Sequence, residues 1–220
     1  MKGKQPMDDK IIYSYWGISL ECEMIKQNSN VLVVLLPGIG YSLDRPLLDY
    51  SKKLALQLGY DVLPIKYGFQ IAGKKLDREN ELKYIIQESM GIFKIAMNDD
   101  YKKVIFISKS IGTIVHACLC NKVKTLEIKN IYLTPINETL NYGIEEDSLI
   151  ITGTMDPLIN KETVKEIKKI KDVSVIQIEN GDHSLNIKND VLSSIEVLCK
   201  VIEAEKKYLN DLESWITKNV

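Results

Sequence analysis

The sequence predicts an α/β protein: a doubly wound, mostly parallel sheet preceded by an N-terminal antiparallel hairpin. Three observations predict it. Short runs that are apolar on both faces (VLVVLL at 31–36, VIFI at 104–107 and LII at 149–151) suit central strands covered by helices on either side. The segments between them place apolar residues at helical spacing. Residues 18–25 instead alternate with period two, as an edge hairpin with one wet face does.

The elements follow in order. Strands are expected at 11–16 and 18–25, with Gly17 near the turn; Ile18, Leu20, Cys22 and Met24 alternate with Ser19, Glu21 and Glu23. After the strand at 31–36, a helix over 46–58 has Pro46 in its first turn and Gly59 just past its end. A strand at 61–66 leads to a helix over 77–97, whose stripe is Leu82, Ile85, Ile86, Ser89, Phe93 and Met97. The strand at 104–107 runs into 111–120 (IGTIVHACLC), where only Thr113 and His116 are polar, so this helix has no solvent face. Strands at 130–134, 148–152 and 173–178 alternate with helices over 161–170 and 189–217, the last with a break near Glu205. No repeat, linker or low-complexity stretch divides residues 1–220, which read as one domain.

Composition excludes several classes. The 220 residues suffice for one core that buries roughly 70% of the unfolded chain's surface. With 29 basic and 30 acidic residues, the net charge of -1 gives no field for a nucleic acid. The lysines of KETVKEIKKIKD (161–172) surround an apolar stripe of Val164, Ile167 and Ile170, and read as a solvated outer face. Cys118 and Cys120 lie two apart on one helix and point to different faces, so they form no metal clip. With Cys22 and Cys199 distant in sequence, the four cysteines read as reduced, buried thiols. MKGKQPMDDK offers no signal-peptide core, and no stretch approaches the ~20 apolar residues of a membrane span. A cytoplasmic protein is expected, without nucleic-acid or membrane partner and open to homodimerisation.

The chemistry centres on I-S-K-S-I-G (107–112), a strand turning sharply into a buried helix. Ser110 stands at the turn, Gly112 is small, and Ser108 holds the other small position. A phosphate loop is excluded, because 101–108 contains no glycine before Lys109. The strand at 148–152 then leads into G-T-M-D-P with Asp156, and the strand at 173–178 into E-N-G-D-H-S-L with His183. The only other histidine, His116, lies six residues past Ser110 on the buried helix, too far round to serve that hydroxyl. A hydrogen-bonded core role suits it better. Asp182 adjoins His183, but a sequence neighbour seldom orients an imidazole from behind; Asp156 is the favoured acid and Asp182 a loop former.

Over roughly residues 31–190 this pattern resembles the α/β-hydrolase superfamily, and within it the small, lidless bacterial members. The elbow departs from G-x-S-x-G at Ser108. The resemblance implies a Ser110–His183–Asp156 triad in the order Ser, acid, His. It implies oxyanion donors in the backbone amides of Ile39 and Ile111, and substrate contacts from Gly38, Gly40 and Tyr41 in L-P-G-I-G-Y, where Pro37 replaces the His often found there. About 13 residues beyond Pro135 are too few for a cap domain, which implies an open, shallow pocket for short acyl chains. The implied activity is carboxylesterase-like hydrolysis of a small acyl ester, without metal or organic cofactor. A thioesterase or acyltransferase on the same site, or a non-catalytic binding module of this fold, remain alternatives.

Overall fold

The computed structural model describes residues 11–97, 101–123 and 126–210. Its elements are β1 (Ile11–Tyr13), β2 (Ser19–Glu21), β3 (Val31–Leu36), α1 (Pro46–Gln57), β4 (Asp61–Pro64), α2 (Gly68–Ile71), α3 (Arg78–Ala96), β5 (Lys103–Lys109), α4 (Gly112–Cys120), β6 (Glu127–Leu133), α5 (Thr139–Tyr142), β7 (Ser148–Gly153), α6 (Lys161–Ile167), β8 (Ser174–Ile178) and α7 (Val191–Asn210). Strands β3 to β8 form one parallel sheet in the order β4-β3-β5-β6-β7-β8.

The two-faced apolar runs are where periodicity placed them, at the centre of this sheet. Leu32, Val34, Leu36, Val104 and Phe106 face one way, towards Ile85, Phe93 and Ile114 of α3 and α4. Val33, Leu35, Ile105 and Ile107 face the other, towards Leu47, Leu48, Val197 and Val201 of α1 and α7. Alternate residues of one strand thus feed two cores, which is why no polar residue interrupts it. A third cluster packs Val164 and Ile167 of α6 against Tyr132 and Ile150.

Several boundaries differ from expectation. The N-terminal hairpin pairs Ile11 with Glu21 and Tyr13 with Ser19, and forms its own two-stranded sheet instead of extending the main one. Its second strand ends at Glu21; further on only Ile25 bridges to Val62. Helix α6 stops at Ile167 and continues as turns. Residues 139–142 form a short helix that sequence patterning did not single out, and it occupies the connection where a cap would be inserted. Cys120 is buried, but Cys199 is exposed, because it lies on the outer side of α7.

Helix α7 is not broken at Glu205; residues 211–217 of the expected helix lie outside the described residues. Glu205 is fully buried instead. Its Oε1 lies 2.9 Å from Ser51 Oγ, and Ser51 Oγ also lies 2.7 Å from the Leu47 carbonyl. Ser51 has one proton, and the carbonyl can only accept. A neutral Glu205 that donates through Oε1 to Ser51 satisfies the hydroxyl and the carbonyl, while Glu205 Oε2 stays buried without a partner among the described residues. Burial pushes the Glu205 carboxyl up to about 8.

A folded-state value raised above the unfolded one means stability is full below about pH 4.5 and is lost as pH rises towards 8. The expected slope is about 1.4 kcal/mol per pH unit at most. Glu205→Gln should flatten this decline, since the amide donates to Ser51 at any pH. Urea midpoints at pH 5, 6.5 and 8 check it, and a wild-type slope unchanged by the substitution would contradict the neutral carboxyl.

Candidate active site

The site sits where β5 turns into α4. Ser110 has φ +55°, in the left-handed region that non-glycine residues rarely enter. Such strain costs about 1–3 kcal/mol and persists only when its surroundings fix it. Here the Ser110 amide donates to the Leu133 carbonyl at 3.1 Å, and its carbonyl accepts from Thr113 N at 2.9 Å and Thr113 Oγ1 at 2.5 Å. Two residues on, a Cβ on Gly112 would stand 2.6 Å from the carbonyl oxygens of both Leu36 and Pro37. Only glycine lets α4 cross this close behind β3.

The three candidate triad residues meet. His183 Nε2 lies 2.8 Å from Ser110 Oγ, and His183 Nδ1 lies 2.8 Å from Asp156 Oδ2. Asp156 Oδ1 accepts from Leu158 N at 2.8 Å. With an acceptor-only carboxylate at Nδ1, the proton sits there, leaving Nε2 free to accept from the serine hydroxyl. The Asp156 side chain is fully buried, whereas that of His183 is 23% exposed.

The acid and base reach each other because their loops are joined. Thr154 N donates to Ile178 O, and Met155 N to Gly181 O at 3.0 Å. A Cβ on Gly153 would stand 2.0 Å from Gly181 O, so the two backbones touch. Asp182 faces away from the imidazole's rear and accepts from Ser184 N and Asn186 N, folding the turn that carries His183.

Opposite lies the 37–41 loop. The amides of Ile39 and Ile111 donate to no acceptor among the described residues. Gln70, at the end of α2, donates through Nε2 to the carbonyls of Gly38 at 2.7 Å and Ile39 at 2.9 Å. Holding both carbonyls on one side fixes how the loop's amides point. Gly38, Gly40 and Tyr41 line the resulting cavity of about 310 Å³ with Ser110, Ile111 and His183. Tyr41 does more than line it: its hydroxyl accepts from Leu47 N at the start of α1.

Two residues of consequence carried no signal in the sequence. Gln70 is one; nothing local links it to residue 38. The other is Lys109, considered there only as part of a phosphate loop. It is 1% exposed and forms no ion pair among the described residues. Nζ donates to Thr134 Oγ1 at 2.9 Å and to the His183 carbonyl at 2.8 Å, and lies 4.5 Å from the centre of the Tyr41 ring. Lys109 therefore ties the base loop and the Tyr41 loop to the residue before the serine. Burial pushes its ammonium down to about 8, against an upward pull from Asp156 and Asp182.

His116 occupies the core role expected for it. It stacks on Tyr132 with ring centres 4.1 Å apart, and Nε2 meets Asn130 Oδ1 at 2.9 Å. Burial pushes its imidazole down to about 3, so it is neutral, with Nε2–H donating to Asn130. Nδ1 then accepts from Ser108 Oγ at 2.7 Å. Ser108 is thus more than a small residue in the elbow.

No protein-family model matches the sequence, and no curated protein matches it. Solved structures do. An esterase from Pyrococcus furiosus aligns with a TM-score of 0.66 at 18% identity, over 91% of this chain and 90% of its own. An α/β serine hydrolase homologue from Coxiella burnetii gives 0.64 at 15%, over 88% and 95%. A serine hydrolase without a lid from Xanthomonas campestris gives 0.63 at 10%, over 88% and 92%. These likenesses show the fold: a lidless α/β-hydrolase fold, with the N-terminal hairpin set apart from the parallel sheet.

Removing the brace on the 37–41 loop should loosen its amides without touching the triad. For the ester hydrolysis proposed below, Gln70→Ala is expected to lower kcat roughly tenfold, less than the 10²–10³ that follows outright loss of an oxyanion donor. KM should change little, because Gln70 does not line the cavity. Steady-state kinetics on an activated acetate ester check this; an unchanged kcat would leave Gln70 a purely structural residue.

Proposed function

We propose that this α/β-hydrolase-fold protein is a serine hydrolase that cleaves small acyl esters through an acyl-enzyme. The observation that carries the reading is the unbroken hydrogen-bonded chain Ser110 Oγ, His183 Nε2, His183 Nδ1, Asp156 Oδ2, with both inner distances at 2.8 Å. The nucleophile, a base and the group that orients it stand in line on a rigid turn.

In this mechanism His183 Nε2 takes the Ser110 proton as Oγ attacks the acyl carbon. Asp156 holds the imidazole with its proton on Nδ1 and stabilises the imidazolium. The carbonyl oxygen gains negative charge beside the free amides of Ile39 and Ile111, which stabilise it. Collapse expels the alcohol, protonated by His183, and leaves the acyl group on Ser110. Water then attacks with His183 again as base, regenerating the serine. The partial exposure of His183 gives water access to the base, which favours hydrolysis over transfer to a second alcohol. The esterase and the serine hydrolase homologue among the structural neighbours support this class of reaction.

Ser110→Ala should abolish covalent labelling by a fluorophosphonate and lower kcat by roughly 10⁶. Mass spectrometry of the labelled wild type should place the adduct on Ser110; an adduct on Ser108 would overturn the assignment. Asp156→Asn should lower kcat by up to ~10⁴ through loss of the tautomer, and Asp182→Asn by far less. Equal losses from the two would remove Asp156 from its role.

A further inference from the structure

Beside the catalytic cavity runs a second, larger groove of about 630 Å³, between the 40–47 segment and the first turns of α7. It is continuous with the catalytic cavity, since Gly40, Tyr41 and Ser184 line both. Together the two spaces fall within the size range of small-molecule sites, whose walls are mostly apolar with a few polar groups.

Helix α7 carries two apolar stripes. Val197, Val201 and Leu209 face the core. Val191 and Ile195, four apart, instead line the groove, beside Leu47, Ile187 and Leu198. Val191 is 74% exposed and Ile195 52%. The core needs only the first stripe. A second stripe left in water, and leading straight to a nucleophilic serine, marks a binding surface.

We propose that this groove holds an extended, unbranched apolar chain of the ester substrate, so that the preferred substrate pairs a small group at Ser110 with a medium-length chain along α7. The inference rests on the serine-esterase reading above. It revises the open, shallow pocket for short chains that the missing cap implies: the wall comes from α7. Gly40 and Tyr41 connect the groove to the 37–41 loop, and Ser184 connects it to His183, so a chain leaving the acyl carbon on either side of the ester bond has a path into it. Whether that chain is the acyl or the alkoxy group is a question of direction, which substrates can answer.

The test uses two substrate series with the full chain: p-nitrophenyl esters from acetate to decanoate, and acetate esters of alcohols from ethanol to decanol. In the wild type, kcat/KM should rise roughly two- to fourfold per added methylene in one series, as expected for burying each in a half-open groove. The rising series identifies the chain as acyl or alkoxy. The exposed positions tolerate substitution, so Val191→Asp and Ile195→Asp should flatten that rise and leave p-nitrophenyl acetate hydrolysis within twofold. Flat profiles in both series, with acetate hydrolysis intact, overturn the groove proposal and spare the esterase reading. No hydrolysis and no fluorophosphonate adduct on wild-type protein overturn both. A wild-type dimer that either substitution converts to monomer makes the stripe an interface between copies and overturns the chain-binding role.

Discussion

Behind the nucleophile, two backbones meet with no space between them for a side chain. Gly112 lies against the carbonyls of Leu36 and Pro37, and much else follows from that contact. It requires β3 and β5 to be neighbours, as they are, with Leu36 opposite Ser108 in register. It brings the segment after β3 alongside the segment after β5. Ile39 and Ile111, 72 residues apart in the chain, thereby line one cavity. It also forces the strand-to-helix turn to be abrupt, and the positive φ of Ser110 is the local cost. That cost is borne by hydrogen bonds to the Leu133 carbonyl and from Thr113, which over-determine the turn.

The fold was readable because its decisive signals are short-range. VLVVLL and VIFI are apolar on both faces, and only a strand covered on both sides accepts that pattern. Ser110, Asp156 and His183 were readable as candidates because each follows such a strand, in one order. What escaped depends on contacts between distant residues. Gln70 grips residues 38 and 39 across the top of β4 and β3. Lys109 reaches the carbonyl of residue 183. A glutamine near a helix end, or a lysine beside a serine, gives no local hint of either bond. Glu205 misled for a related reason: a charge in an apolar stripe suggests an interruption, whereas here the carboxyl is buried and neutral and donates to Ser51. The hairpin's detachment also had no local signature, since period two describes pairing and not which sheet is joined.

At 10–18% identity the structural neighbours share few side chains with this protein, yet align over most of both chains. What persists is a pattern of burial plus a few backbone contacts too close for anything but small residues. Side chains filling the remaining space are free to vary, as the stacked His116, its bonds to Ser108 and Asn130, and the unpaired Lys109 illustrate. Such freedom is why one fold serves many chemistries and why function has to be sought in the site.

The pairing of α1 with α7 has a consequence for how the protein is made. Ser51 and Glu205 are 154 residues apart, and α7 covers the face of α1 that carries Leu47 and Leu48. Chains are synthesised from the N-terminus, and domains generally fold as units. During translation that apolar face therefore waits, uncovered on one side, until α7 has emerged as well. Ser110 waits too, because His183, the base in the proposed mechanism, follows 73 residues later. A nascent or prematurely terminated chain is thus inert as a nucleophile and sticky as a surface.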